Sequence, residues 1–195
     1  TLNVIHHLAV LEDAAKTSET ISALSELLRW RLKNSNELVT IGDEINYIKS
    51  YLLIKSVTLR DRVKVQCDFD EAAQGCLIPP YTLQPLVENA FLHGLEPKEE
   101  GGTIKIGISR RDERVLMKIE DDGIGMSGFI LEELLKLRQK ESKLTIPSLG
   151  IRNVIKTLSH YFGDKFEWDL ESRQGIGTKI SLCIPYWEDK KEESS

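Results

Sequence analysis

Apolar side chains at Ile21, Leu24, Leu28 and Leu32 recur at helical spacing, after Leu8 and Leu11. That repeat predicts a helix with one apolar stripe. The polar run Lys33-Asn34-Ser35-Asn36 interrupts it. Thr40 with Asp43 then has the form of a capping box, and Ile45, Ile48 and Leu52 begin a second stripe. Two helices joined by a short break form a hairpin with a broad apolar face that a partner usually covers. The pair reads either as a packed subdomain or as a dimerisation hairpin that completes a four-helix bundle; the second is preferred.

After Arg62 the period changes. Val63 to Phe69 alternates as a strand does, and Pro79-Pro80 punctuates the chain. Tyr81 to His93 is apolar enough to predict a buried helix. Thr103–Arg110 and Val115–Ile119 predict a hairpin around Asp112-Glu113. Gly128 to Lys140 is amphipathic, residues 149–162 predict another helix, and Phe166–Leu170 and Thr178–Ile184 predict the last strands. Strand pairs interspersed with helices define an α+β class, a two-layer sandwich with one mixed sheet covered by helices on one face. The expected organisation is a helical hairpin over 1–60, an α+β domain over 61–187 and a charged tail over 188–195.

Composition narrows the function classes. The 195 residues are 41% hydrophobic and 29% charged, with a net charge of −5. No basic cluster stands out, which argues against nucleic-acid binding. No apolar run approaches a membrane span, so no direct membrane contact is expected of this stretch. Cys67, Cys76 and Cys183 are odd in number and lack CxxC spacing, and they read as reduced thiols of an intracellular protein. The chain opens in mid-pattern without a methionine and reads as a fragment.

Candidate chemistry gathers in four blocks. Asp121 follows a strand and precedes Gly123 and Gly125. A carboxylate accepts hydrogen bonds only, so a buried one there selects adenine, which offers an exocyclic amine, over guanine, which offers a carbonyl. By itself Asp-Asp-Gly is a common turn. Gly123 to Gly128 also fits GxGxxG, but it follows a hairpin deep in the chain and two carboxylates precede it, so a dinucleotide fingerprint is rejected. Upstream, Asn89 and His93 share a helix face with Pro85, while Glu88 points about 100° away from Asn89. An amide oxygen suits Mg²⁺, and His93 suits phosphate or ribose. Gly150 opens a helix whose free N–H groups attract phosphate, which makes residues 128–147 a candidate lid. His6, His7 and His160 read as surface or packing histidines.

Together these blocks resemble the ATP-binding domain shared by histidine kinases, gyrase, Hsp90 and MutL. Leu83 to Gly94 looks like its N box, Asp121-Asp122-Gly123-Ile124-Gly125 its G1 box, Ser148 to Asn153 its G2 box, and Gly177-Thr178 its closing segment. The finer resemblance is to sensor histidine kinases of the LytS-like subfamily, through Leu83-Gln84-Pro85-Leu86-Val87-Glu88-Asn89-Ala90 and, in the hairpin, Tyr47-Ile48-Lys49-Ser50-Tyr51-Leu52. It implies a Bergerat-type ATP-binding fold with ATP and Mg²⁺ as ligands. Asn89 is then the Mg²⁺ ligand and Asp121 the adenine reader, supported by Thr178. Gly123 and Gly125 admit the nucleotide, Gly150 stands at the phosphate end, and Glu88 and His93 are neighbours of the site. A response-regulator receiver domain and a second copy of the chain are the implied partners. The phosphoacceptor histidine is expected before Thr1, in a cytoplasmic part of a membrane sensor. Two departures stand out. Ser148 replaces the first glycine of the G2 Gly-x-Gly, which leaves a non-catalytic dimerisation module as one alternative. Pro85 stands where hydrolysing relatives carry a water-activating Glu, which disfavours the other, a gyrase- or chaperone-type ATPase.

Overall fold

The computed structural model describes residues 5, 9–11, 14–33, 37–59, 62–139 and 149–188. The expectations for His6, His7, Ser148, the end of the lid and the tail beyond residue 188 fall outside these residues.

The helical pair is present. Helix α1 spans Ala15–Lys33, and after strand β1 (Val39–Thr40) helix α2 spans Ile41–Leu59. The capping box closes as its sequence predicts. The Thr40 N–H donates to Asp43 Oδ2 at 3.0 Å, and the Asp43 N–H donates to Thr40 Oγ1 at 3.0 Å. Both bonds satisfy helix-end donors that have no partner within the helix. The two helices meet through Trp30 and Tyr47, and the Ser50 hydroxyl donates to Glu26 at 2.6 Å.

Strand β2 (Val63–Phe69) is followed by β3 (Leu77–Ile78), which pairs antiparallel with β1. Helix α3 (Gln84–Asn89) runs on without a break into a π-helical segment, Ala90–Leu95. Strands β4 (Gly102–Arg111) and β5 (Arg114–Asp121) form a hairpin whose tight turn holds Asp112 at φ 52°. Positive φ matches the twist of two-residue hairpin loops, and Asp tolerates it. Helices α4 (Gly128–Leu135) and α5 (Leu149–Phe162) precede β6 (Glu167–Arg173) and β7 (Gly177–Pro185). The main sheet has the order β2-β4-β5-β7-β6, with β2 and β4 parallel and the other pairs antiparallel.

Period two decides which face is covered. Ile104, Ile106 and Ile108 of β4, Val115, Met117 and Ile119 of β5, and Ile180, Leu182 and Ile184 of β7 are buried. They pack against Leu86, Val87 and Phe91, Leu134 and the α5 row Ile151, Val154, Ile155 and Leu158. Each such side chain contributes roughly 1.5–3 kcal/mol. The opposite face carries Lys118 and Lys179, paired with Glu120 and Glu171. This is the expected two-layer α+β sandwich. Ile41, Ile45 and Ile48 of α2 belong to the same continuous core, so α2 is part of the body that holds the sheet.

The predicted helix from Tyr81 begins three residues late. Pro79-Pro80 and Tyr81, held at φ 64°, form a turn first. Its end also differs. The chain continues past the predicted end at His93, through i→i−5 bonds such as Glu96 N–H to the Phe91 carbonyl at 2.8 Å.

Candidate functional site

Asp121 ends the inward row Val115, Met117, Ile119 and is therefore carried to the covered face of the sheet. Its side chain is 7% exposed. The Gly123 N–H donates to Oδ1 at 2.9 Å. Burial pushes the Asp121 pKa up to about 6, with the Gly123 and Thr178 backbone donors acting against the rise and the Asp122 charge adding to it. The carboxylate thus stands as an acceptor at the end of a row of hydrocarbon.

Ile119 and Asp121 at the end of that row line a cavity of about 280 Å³. Its apolar wall includes Leu86, Ile119, Met126, Ile130, Ile151 and Ile180, and its polar groups include Asn89, His93, Asp121 and Thr178. A concave, mostly apolar cavity with few directed polar groups is the usual form of a small-molecule site. A larger, open depression of about 780 Å³ lies on the other side of Asp121. It is lined by Lys105, Glu120, Glu171 and Lys179 and lacks the apolar walls of the first.

Glycines set how closely the elements approach. A Cβ on Gly94 would lie 2.7 Å from Asp121 Oδ1, and one on Gly123 would lie 2.3 Å from the Gly94 carbonyl carbon. The Ile124 N–H donates to the Gly94 carbonyl at 2.9 Å, which ties the loop after β5 to the π-helical segment. Gly125 has φ +64°. The next turn of this loop is held by Ser172 of β6, whose hydroxyl accepts from the Met126 N–H at 2.9 Å and lies 2.9 Å from Thr178 Oγ1.

Asn89 faces the other end of the cavity. Its Nδ2 is buried with no hydrogen-bond partner. A Cβ on Gly150 would lie 2.6 Å from that nitrogen, so the start of α5 sits directly against the amide. An unpartnered buried amide costs about 1–3 kcal/mol, which a ligand can offset. Among the described residues no group of three or more His, Cys, Asp or Glu could hold a metal. The residues fit a magnesium held mainly by phosphate oxygens and water, with one protein amide oxygen, and not a caged metal.

The structure brings together Asn89, His93, Asp121, Gly123, Gly125, Gly150 and Thr178. It does not bring Glu88. That carboxylate accepts from the Tyr47 hydroxyl at 3.3 Å and from Gln84 Nε2 at 2.8 Å, on the side of α3 that faces α2. The 100° between neighbouring helical residues is the reason. Pro85 likewise does not line the cavity. Gly94, named from sequence as the end of the N-box stretch, is the floor on which Asp121 rests. Ser172 carried no signal in the sequence, because a serine in an alternating strand is ordinary until its neighbour Thr178 is known.

A covered mixed sheet with an acidic strand end, an amide-bearing helix and a glycine loop between them defines a nucleotide-binding domain. Residues 80–188 match the family described as histidine kinase-, DNA gyrase B- and HSP90-like ATPases, and residues 1–63 match the histidine kinase family. The chain belongs to the histidine kinase-, DNA gyrase B- and HSP90-like ATPase family. It is 31% identical over 185 residues to sensor histidine kinase YesM of Bacillus subtilis, covering 95% of this chain and 30% of that protein. It is 28% identical over 186 residues to sensor protein kinase HptS of Staphylococcus aureus, covering 95% of this chain and 35% of that protein. The chain thus spans about a third of the length of these curated relatives. The histidine kinase domain of the Erythrobacter litoralis EL346 blue-light activated histidine kinase shares the fold, with a TM-score of 0.53 at 18% identity over 88% of this chain and 75% of that one.

Proposed function

We propose that this chain is the ATP-binding catalytic part of a two-component sensor histidine kinase. It binds Mg-ATP and presents the γ-phosphoryl group to a histidine expected before Thr1, from which the group passes to an aspartate of a response-regulator receiver domain. The observation that carries this reading is the buried Asp121 carboxylate at one end of an apolar slot with the Asn89 amide at the other.

Asp121 accepts the exocyclic amine of adenine, and a guanine carbonyl at that place would set two acceptors against each other. Met126, Ile130 and Ile151 enclose the base. Thr178 and Ser172 hold the loop that follows Asp121. Asn89 holds the magnesium by its amide oxygen, and the ion neutralises charge on the phosphates when bound. His93, exposed at the cavity edge, donates to phosphate or ribose, and the N–H groups at the start of α5 face the phosphate end. Among the described residues Asp121 is the only carboxylate lining the cavity, and it is committed to the base. Among the described residues no second acid stands at the cavity to activate water, which favours a kinase over a gyrase- or chaperone-type ATPase.

A second copy of the chain is proposed as a partner through α1. Leu24, Leu28 and Leu32 form an apolar stripe that is 40%, 47% and 86% exposed. Among the described residues no helix is long and apolar enough to cross a membrane; the proposed membrane sensor belongs to the longer protein.

Calorimetry with Mg-ATP, repeated with EDTA, tests the site. Binding should weaken on chelation, and Asn89→Ala should abolish that dependence. Addition of a phosphoacceptor-bearing partner should then give phosphohistidine, with steady-state hydrolysis remaining low. Absence of Mg-ATP binding by the wild-type chain would sink the proposal, as would efficient hydrolysis without phosphotransfer.

A further inference from the structure

Helix α3 has no side-chain cap of its own, since Leu83 stands at its N-cap. Its cap comes from α2. Glu44 Oε1 accepts the N–H groups of Tyr81 at 2.5 Å and Thr82 at 3.2 Å, and Oε2 accepts those of Leu83 at 2.7 Å and Gln84 at 3.2 Å. Four consecutive backbone donors converge on one carboxylate that is 1% exposed. The Pro79-Pro80 turn and the left-handed Tyr81 bend the chain so that these donors point one way. Burial pushes the Glu44 pKa up, and the four donors oppose that rise. The α2 end of the contact is itself fixed by Ile41 and Gly42 N–H bonds to the Cys76 and Gln74 carbonyls, each at 2.9 Å.

We infer that Glu44 is a positioning residue for the magnesium-binding end of the site: by capping α3 from the neighbouring helix it fixes the place of Asn89 relative to Asp121 and Gly150. This rests on the ATP-binding reading above. Asn89 follows Gln84 by five residues, about 7–8 Å along the helix. A tilt of about 10° at the cap would therefore move the amide by roughly 1 Å, enough to misplace a ligating group. Gly150 lies directly against that amide, so such a shift would also press on the start of α5. Further along the same seam Tyr51 meets Phe91 edge-on, and Lys55 pairs with Glu96 at 2.5 Å. These contacts hold the far part of the helix and leave its orientation at the start to Glu44. Asp121 is carried by the sheet and does not depend on this cap. The inference thus separates the two ends of the nucleotide: a fault at Glu44 affects recognition of the metal-bound phosphates and spares recognition of the base.

Glutamine at position 44 keeps the shape but offers one acceptor oxygen and points an N–H₂ at the remaining donors. The test is calorimetry of the whole chain with ATP, in Mg²⁺ and in EDTA, for the wild type, Glu44→Gln, Asn89→Ala and the double variant. Expected is a loss on the order of tenfold in Mg-ATP affinity for Glu44→Gln, with the EDTA value unchanged and no further loss in the Asn89→Ala background. Glu44→Asp, which keeps the charge but shortens the reach, should show the same selective loss to a smaller degree and serves if Glu44→Gln does not fold. Asp43→Ala, which breaks only the capping box of α2, should keep the wild-type ratio. Equal losses with and without Mg²⁺, additivity with Asn89→Ala, or wild-type binding by folded Glu44 variants would each overturn the inference. A wild-type chain that shows no Mg-ATP binding would instead overturn the ATP-binding reading itself.

Discussion

Lowering the pH from 7 to 5 should weaken adenine binding about tenfold, and the size of the effect follows from Asp121. Its pKa is raised from 3.8 to about 6, first by burial. With that value about nine-tenths of the free sites are ionised at pH 7 and about one-tenth at pH 5. Only the ionised carboxylate offers both oxygens as acceptors to the backbone donors and the amine, so affinity tracks the ionised fraction. Binding near pH 6 should also release a proton, because the amine donor holds the group ionised in the complex. The sign for stability is the reverse. A raised carboxylate pKa means that the folded chain binds the proton more tightly than the unfolded one. The ligand-free protein therefore loses stability, by up to roughly 3 kcal/mol, as pH rises from about 4 to 6. Adenosine is the appropriate probe, since phosphate groups titrate in the same range. Calorimetry in two buffers of different ionisation enthalpy counts the proton. A flat affinity between pH 5 and 7, or proton uptake on binding, would refute the reasoning, as would an Asp121→Asn variant that keeps wild-type affinity.

Two further outcomes follow from packing. Gly94→Ala should lower ATP affinity at least about tenfold, because a Cβ 2.7 Å from Asp121 Oδ1 must displace the carboxylate; overpacking of this kind costs roughly 1–3 kcal/mol, and calorimetry with a thermal melt separates lost binding from lost fold. Leu28→Glu combined with Leu32→Glu should convert a dimer to a monomer in sedimentation while changing the stability of the single chain by no more than about 0.5 kcal/mol; an unchanged mass would remove α1 as the dimer contact.

Local patterns were legible where the partners lie close in sequence. Thr40 and Asp43 are three residues apart, and their reciprocal bonds form as the motif implies. Asp121 was legible from its place after a strand and before Gly123 and Gly125; the structure makes it the last residue of β5, on the face of Met117 and Ile119. Glu44 was not. Its partners are backbone N–H groups 37–40 residues away, and backbone donors leave no mark on residue identity. The π-helical segment escaped for a related reason. Ala90 to Leu95 has ordinary helix-forming composition, and what lies against Gly94 is Asp121 and Gly123, both on another element. Glu88 shows the opposite case. The helical rotation that separates it from Asn89 was available in the sequence, and its contact with Tyr47 agrees with that rotation.

The parallel pairing of β2 with β4 bears on how the chain acquires its shape. A parallel pair cannot close through a tight turn and needs a long crossover. Here the crossover between Phe69 and Gly102 is the stretch that contains α3 and Asn89. The β4–β5 hairpin, by contrast, closes locally, and local closure is fast while distant pairing is slow. During synthesis α2 and β2 emerge well before the crossover helix and the hairpin strands, so the part of α2 that packs against α3 waits until the crossover has been made. The nucleotide slot is accordingly assembled late, when the hairpin strands, the crossover helix and β7 finally meet.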